Sequence, residues 1–181
     1  MPAPLTTAAL PHRAIVIMGV SGCGKSTLMH DLAVHIACPA FEGDDFHGAA
    51  NVAKMQAGRP LDDSDRWPWL DRLGAAIGAA VREDRLAVAA CSALKRSYRN
   101  RLERAAGVPL LFVLLDGDRE EIAERLAGRT RHYMPASLLD SQLGALERPA
   151  PDERALTLPC SWPVERLRDA VLHRARSEVA A

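Results

Sequence analysis

The sequence has no excess charge of either sign, since its 181 residues include 23 Lys and Arg and 23 Asp and Glu. It therefore lacks the overall basic field that attracts nucleic acids and anionic membranes. Its longest apolar run, Val108 to Leu115, is far shorter than the roughly 20 residues that cross a bilayer. Met1 to Arg13 contains no apolar stretch typical of a secretory signal. We expect a cytoplasmic protein with no nucleic-acid partner and no membrane partner.

Cysteine and lysine are also scarce. The four cysteines form no C-x-x-C pair and have no matched histidine spacing, which argues against a zinc site or a disulfide framework. Lysine occurs only as Lys25, Lys54 and Lys95, and arginine supplies the remaining positive side chains. Either three lysines survive by chance, or these positions need a compact ammonium group rather than a planar guanidinium.

What the sequence does contain is the pattern G-x-x-x-x-G-K-[ST], from Gly19 to Ser26. The apolar, partly β-branched run Ala14 to Met18 before it predicts a buried parallel strand. Ser26 to His35 after it carries apolar residues at helical spacing. Strand, glycine-rich turn and helix are the context that a phosphate-binding loop requires.

Each part of this loop has a physical role. Gly19, Gly22 and Gly24 allow backbone conformations that turn successive N–H groups toward one anion, and the helix dipole adds to that attraction. Lys25 is expected to reach the β- and γ-phosphates of ATP, and the Ser26 hydroxyl to ligate Mg²⁺. The residues predicted to bind the nucleotide are Gly19, Val20, Ser21, Gly22, Cys23, Gly24, Lys25, Ser26 and Thr27.

Strands alternate with helices along the chain, which predicts a parallel sheet with right-handed crossovers. We expect an α/β fold: a three-layer α/β/α P-loop kinase domain over residues 14–178, after a flexible segment 1–13. Small residues in the long helix after Leu70 suggest close packing, and Ser64 or Asp65 is a plausible N-cap for that helix. The predicted strands are Ala14–Met18, Ala40–Glu42, Leu86–Cys91, Leu110–Leu115 and Ala155–Leu158.

A basic segment, Gly128 to Pro135, separates two predicted helices late in the chain. In a phosphotransferase, such a segment would form a lid, here about residues 128–137, that closes arginine side chains over the transferring phosphate. The alternative is an ordinary solvated basic loop.

The carboxyl ends of the second and third strands would form the pocket of the phosphate acceptor, because ligands bind at this edge of open α/β sheets. Several cations with one carboxylate suit an anionic acceptor that carries hydroxyl groups. Asp44 and Asp45 have an alternative interpretation as turn residues, which we weigh equally at this point. The candidate residues are Asp44, His47, Lys54, Arg66, Lys95 and Arg99.

From about Ile15 to Glu153 the sequence resembles the gluconokinase family. The resemblance rests on the segments Gly43-Asp44-x-Phe46-His47, Asn51-x-x-Lys54-Met55, Asp65-Arg66-Trp67-Pro68-Trp69-Leu70, Cys91-Ser92-Ala93-Leu94-Lys95-x-x-Tyr98-Arg99, Arg129-x-x-His132-Tyr133-Met134-Pro135 and Ser141-Gln142. The departures are mild: Asn100, Gly48 and Cys23 each replace a residue that is more common in the family.

The resemblance implies ATP-dependent phosphorylation of D-gluconate at its 6-hydroxyl, a nucleoside-monophosphate-kinase-like fold and a homodimer. It also implies a place in the pentose phosphate and Entner–Doudoroff routes. By this resemblance, Asp44 orients or deprotonates the hydroxyl, and Lys25 and Arg129 stabilise charge on the moving phosphoryl group. Arg66 and Arg99, with Lys54 or Lys95, would hold gluconate.

Several alternatives stay open. His47 would either bind a sugar hydroxyl or cap a local turn, and Trp67 and Trp69 favour packing roles. Asp62, Asp63 and Asp65 suggest a solvated acidic turn in which only Asp65 orders the site. We also hypothesise that Cys23 has a lowered pKa and reacts readily, because it sits in an anion-binding loop. Rival functions are a kinase of shikimate or of a nucleoside monophosphate, and an inactive ATP-sensing protein.

Overall fold

The computed structural model describes residues 13–127 and 136–177, and in these residues five parallel strands form one sheet. The strands run across the sheet in the order β2-β3-β1-β4-β5. Every predicted strand agrees with the observed one to within a residue at each end. The strands are β1 (Arg13–Met18), β2 (Ala40–Glu42), β3 (Leu86–Ala90), β4 (Leu110–Asp116) and β5 (Ala155–Pro159).

Helices connect the strands in the described part of the chain. They are α1 (Lys25–Ile36), α2 (Ala49–Gln56), α3 (Asp63–Asp84), α4 (Arg96–Ala106), α5 (Arg119–Ala127), α6 (Ala136–Ala145) and α7 (Val164–Ser177). A short 3-10 helix, Gly43–Phe46, follows β2 where the sequence predicted only a turn. Among the described residues, no helix combines the length and the apolar character that a bilayer crossing demands.

The central strand β1 shows why the fold has three layers. All six of its residues are buried, and successive side chains point to opposite faces of the sheet. Ile15 and Ile17 pack in a core that includes residues of α1 and α7, whereas Val16 and Met18 pack with residues of α3 and α4. The predicted α/β/α arrangement is therefore confirmed.

Helices α3 and α4 approach each other closely at two glycines of α3. A Cβ added at Gly74 would lie 2.6 Å from Ala105 Cβ, and one added at Gly78 would lie 2.0 Å from the carbonyl oxygen of Ala106. The small residues of α3 thus permit the close packing that the sequence suggested.

The start of α3 differs from the prediction. Its N-cap is Asp62, whose carboxylate accepts from the backbone N–H of Asp65, while the Asp65 carboxylate accepts from the N–H of Asp62. This reciprocal pair is a capping box built with an aspartate at its third helical position. Asp65 supports the cap without being the cap, and Ser64 instead donates its hydroxyl to Asp62.

The order of the strands determines where in the fold the candidate site lies. The chain leaves β1 for β2, returns to β3, and then crosses to β4 on the other side of β1. A crevice therefore opens beyond the carboxyl end of β1, where open α/β sheets bind ligands. The loops that follow β1, β2 and β3 meet there: the Gly19 N–H donates to Ser92 O at 3.2 Å.

Two predicted segments fall largely on residues that the structure does not describe. Arg13, placed in the flexible segment 1–13 by the sequence, is buried and begins β1, and residues 1–12 lie outside the described residues. Residues 128–135 of the predicted lid also lie outside them, and α6 begins directly afterwards.

Candidate active site

The glycine-rich loop between β1 and α1 has the conformation that an anion-binding loop needs. Gly19, Gly22 and Gly24 have φ angles of 133°, 89° and 102°, which side chains with a Cβ rarely adopt. At Gly22 an added Cβ would also lie 2.6 Å from Leu126 Cγ. Ser26 is half-buried in the first turn of α1, and the Lys25 ammonium donates to Val20 O at 2.9 Å.

Partners from elsewhere in the fold hold this loop in place. One is the bond from Gly19 to Ser92, to which a bond within the loop is added, from the Cys23 N–H to Val20 O at 3.5 Å. The Ser21 N–H donates to the side-chain oxygen Oε1 of Gln142, in α6, at 2.7 Å. In the sequence, Gln142 stood out only as part of a family motif, with no predicted place in the site.

Cys23 does not have the reactivity hypothesised from the sequence. Its side chain is buried, with 1% of the residue exposed. Burial raises the pKa of the Cys23 thiol, and this outweighs the opposing effects of the Lys25 charge and of the loop N–H groups. The hypothesis was based on the charge of the loop, and the sequence does not show that the thiol is buried. The predicted lowering of the Cys23 pKa is therefore wrong in direction.

A cavity of about 340 Å³ lies beside the phosphate-binding loop. Thr27, at the exposed side of α1, lines it together with Arg125 of α5 and Trp162, which precedes α7. The Arg166 guanidinium lies 3.7 Å from the centroid of the Trp162 ring and so supports that ring from one side. The cavity adjoins the loop at Gly22, Cys23 and Gly24, and it offers an aromatic ring and a cation next to the place where phosphates would bind.

On the other side of the loop, the 3-10 helix after β2 presents Asp44. The side chain of Asp44 is 86% exposed and its Oδ1 lies 3.8 Å from Nε2 of His47. Burial raises the pKa of Cys91 to about 12, and the charges of Asp44 and Lys25 both act on that thiol. Asp44 and Lys25 therefore both lie within electrostatic range of Cys91, just after β3.

His47 belongs to the supporting structure of this site. Its side chain is 4% exposed, and its ring stacks on Trp69 with the centroids 4.1 Å apart. Nδ1 of His47 lies 3.4 Å from the Asn51 amide nitrogen. Burial lowers the pKa of His47 against the opposing effect of Asp44. These contacts favour the structural alternative over a bond to a sugar hydroxyl.

Trp69 has the packing role that its sequence context favoured. It is 2% exposed, and its indole N–H donates to Gly43 O at 2.6 Å, which anchors the start of the 3-10 helix. Trp67 is half-buried and meets the Tyr98 ring edge-on at 5.6 Å.

Lys54 and Lys95 are both tied to the acidic start of α3. The Lys54 ammonium donates to Asp62 at 3.1 Å and makes a short bond to Asp65, which is the main reason that the pKa of Lys54 is raised. The Lys95 ammonium donates to Asp63 at 2.9 Å. The acidic turn is therefore more than a solvated surface, because three of its carboxylates hold two of the chain's three lysines.

Arg66 and Tyr98 lie next to this pair of lysines. Tyr98 donates its hydroxyl to Asp63 in a short bond, and this bond is the main reason that the pKa of Asp63 is lowered. The Arg66 guanidinium and the Lys95 ammonium each lie 5.3 Å from the centroid of the Tyr98 ring. Lys95 and Arg66 are thus brought together as expected.

Arg99 has a different place from the one that the sequence suggested. It is 1% exposed, and Nε and Nη2 bind the Glu153 carboxylate at 2.5 and 2.9 Å. Nη1 donates to the carbonyl oxygens of Ala93, Leu94 and Glu147 at 3.2, 3.3 and 3.1 Å. The guanidinium is fully used by the protein, which corrects the expectation that Arg99 binds the substrate.

The other predicted charge for the transferring phosphate is Arg129, which lies outside the described residues. The helices that flank it are described, and an ion pair joins them: Arg119 of α5 binds Asp140 of α6 at 2.6 and 3.2 Å.

Comparisons with known proteins give the relatives of this chain. Residues 15–149 match the family model described as an AAA domain. The chain is 47% identical over 148 residues to the gluconokinase of Gluconobacter oxydans, which covers 82% of this chain and 83% of that protein. A sugar kinase structure from Janibacter sp. HTCC2649 has a TM-score of 0.84 and 43% identity, covering 90% of this chain and 94% of that one. A gluconokinase structure from Sinorhizobium meliloti 1021 has a TM-score of 0.77 and 43% identity, with 90% of each chain covered.

Proposed function

This chain belongs to the gluconokinase family and, over residues 15–149, to the AAA domain family, and we propose that it phosphorylates D-gluconate at the 6-hydroxyl with ATP. One observation carries the proposal: a phosphate-binding loop and an exposed carboxylate, Asp44, meet at one sheet edge in a chain that is 47% identical to a gluconokinase. The products are 6-phospho-D-gluconate and ADP.

The chain's residues act mainly by positioning and by neutralising charge, as is usual in phosphoryl transfer. Asp44 accepts a hydrogen bond from the 6-hydroxyl, orients it toward the γ-phosphorus and takes its proton as the new O–P bond forms and the bond to ADP breaks. Lys25 exchanges its bond to Val20 O for the phosphate oxygens. Arg129 supplies the second positive charge in this proposal.

The cavity beside the loop is the place we propose for the adenine base of ATP. Trp162 offers a flat apolar surface, Arg125 offers a cation, and the position next to Gly22 and Gly24 is continuous with the phosphate site. The aromatic ring also suits stacking of a nucleobase.

Ser26 fits the binding of Mg²⁺, because its hydroxyl follows the loop lysine at the half-buried first turn of α1. Among the described residues there is no group of three His, Cys, Asp or Glu side chains that could hold a metal ion. We therefore propose that Ser26 is the protein ligand and that phosphate oxygens and water complete the shell. When bound, the ion neutralises phosphate charge.

For gluconate we propose a pocket made by Asp44, Arg66, Lys54 and Lys95. The two lysine side chains keep 25% and 32% of their surface exposed, while carboxylates of α3 fix their positions. A carboxylate ligand would add a third partner to ammonium groups that are already oriented, so little side-chain entropy is lost on binding.

We also propose that the protein is a cytoplasmic homodimer and that its product enters the pentose phosphate pathway. These proposals rest on the family resemblance. The mass of the purified protein in solution, from sedimentation velocity, tests the dimer.

The proposed function is tested by coupled measurement of ADP release with Mg-ATP and a panel of acceptors: D-gluconate, shikimate, glycerate, AMP and none. We expect fast turnover with gluconate alone. Equal release with and without an acceptor would indicate simple hydrolysis, and turnover with shikimate or AMP would assign a different acceptor. Either result would contradict the proposal.

A further inference from the structure

Helix α6 has a polar residue in the stripe that faces the core. Leu139 is 2% exposed within the core beside α1, and Leu143 and Leu146 pack against the same core. Gln142 stands three positions after Leu139 and four before Leu146, which is the spacing of residues on one helix face. A glutamine on an otherwise apolar stripe costs free energy unless its amide has a partner.

The partner is the backbone of the phosphate-binding loop. The Ser21 N–H donates to Oε1 of Gln142 at 2.7 Å, a bond that joins residues 121 positions apart in sequence. Ser21 lies between Gly19, which is bonded to the loop after β3, and Gly22, whose φ is positive. Gln142 therefore holds the middle of the loop through an acceptor oxygen, which the leucines of the same stripe lack.

The far end of α6 is anchored to the acceptor side of the site. The Glu147 N–H donates to Leu94 O at 2.8 Å, and Glu147 Oε2 accepts from the backbone N–H of Arg96 at 2.7 Å. Leu94 and Arg96 flank Lys95. The segment from α6 to Glu147 thus contacts both the phosphate-binding loop and the loop that carries a proposed gluconate ligand.

We propose that Gln142 is a positioning residue that orders the phosphate-binding loop from α6, in a segment whose following residues are anchored to the loop that carries Lys95. This inference deepens the proposed function and rests on it for the identity of the acceptor. The physical reason is that in-line transfer depends on the alignment of donor and acceptor, and a loop displaced by a fraction of an ångström loses much of that alignment. Gln142 acts through Ser21 and α6 and does not itself need to touch the substrates.

The test compares Gln142→Met with the unaltered chain. Methionine keeps the length of the side chain and suits an apolar stripe, so the melting temperature without ligand should be unchanged or higher. We expect kcat to fall about tenfold and ATP affinity, measured by calorimetry, to fall severalfold, because one hydrogen bond that orders the loop is lost. The KM for gluconate should stay within about twofold of the original value.

Two further variants control the experiment. Gln142→Asn keeps the amide but is one methylene too short to reach Ser21, and it should lose as much kcat as Gln142→Met. Gly144→Ala lies on the exposed side of the same helix, where an added Cβ meets nothing within 4 Å, and it should leave kcat and ATP affinity unchanged.

Original kcat and ATP affinity in Gln142→Met would overturn the inference. So would losses that only follow a lowered melting temperature, since they would indicate a merely structural role. If the unaltered chain binds ATP but does not phosphorylate gluconate, the proposed function fails, and ATP affinity alone then decides whether Gln142 orders the loop.

Discussion

The Asp44 side chain is exposed to solvent, whereas the residues that support it are buried. Its carboxylate is 86% exposed, whereas the His47 side chain 3.8 Å away is 4% exposed and stacked on Trp69. With the Asn51 amide donating to Nδ1 of His47, the ring proton lies on Nε2, which faces Asp44. The lowered pKa of His47, caused mainly by burial, keeps the ring neutral. The Asp44 carboxylate thus lies 3.8 Å from a ring that is itself held in place by stacking.

Replacing Asp44 by Asn should therefore abolish proton acceptance while keeping the shape of the side chain. We expect kcat with gluconate to fall at least about a hundredfold, because a positioned general base contributes a factor of that order or more. Affinity for Mg-ATP, measured by calorimetry, should be unchanged. Asp45→Asn is the matched control, since Asp45 is the exposed neighbour in the same 3-10 helix and should keep nearly full kcat. Equal losses in both variants would refute the role of Asp44.

At the scale of elements, the contact between α3 and α4 depends on backbone proximity. A Cβ at Gly78 would lie 2.0 Å from the Ala106 carbonyl oxygen, and a carbonyl in a packed helix cannot move aside as a flexible side chain can. We expect Gly78→Ala to lower the free energy of unfolding by about 3 kcal/mol, at the upper end of the usual cost of overpacking. Urea unfolding measures this change. In Gly144→Ala, where the new methyl group meets open space, stability should rise slightly instead.

Among the elements, the boundaries of β1 could be predicted from the sequence, whereas the N-cap of α3 could not. Strand β1 is a short apolar run next to a glycine-rich turn, so both its type and its end can be read from the sequence. The sequence suggested Ser64 or Asp65 as the N-cap of α3, but Asp62 belongs to an equally good capping residue type. The choice of Asp62 depends on its extended backbone, with ψ at 179°, and on the reciprocal bond from Asp65. Neither is visible in composition or spacing.

At the scale of the whole molecule, the missed features are contacts between distant parts of the chain. Gln142 and Ser21 are 121 positions apart, and Arg99 and Glu153 are 54 apart. The family motif identified Arg99 as a special residue, but only the folded chain shows that its partner is Glu153 and not the substrate. The sequence offered two signals for Gln142: its place in the family motif Ser141-Gln142 and its polar character within the apolar spacing of α6.

The Arg99–Glu153 pair also makes stability depend on pH. Arg99 holds the pKa of Glu153 below its ordinary value of 4.5. Because the pKa is depressed in the folded state, this stabilisation is fully present above pH 4.5 and is lost as the pH falls through the lowered pKa.

Removing the Arg99 guanidinium should lower the free energy of unfolding far more than removing the exposed guanidinium of Arg96, which lies in the same turn of α4. Arg99→Met leaves Glu153, whose side chain is 9% exposed, without its cation, and it removes one hydrogen-bond donor from each of three carbonyl groups. We expect a loss of about 3–5 kcal/mol in urea unfolding. Arg96→Met, which breaks the solvent-exposed pair with Asp152, should cost less than about 1 kcal/mol. Exchanging Glu153 for Gln in the Arg99→Met background should recover part of the loss, because a neutral amide is cheaper to bury than an unpaired charge.

Under conditions where Arg99→Met remains folded, the KM for gluconate should stay within about twofold of the original value. A large rise in that KM with little loss of stability would restore Arg99 as a substrate ligand.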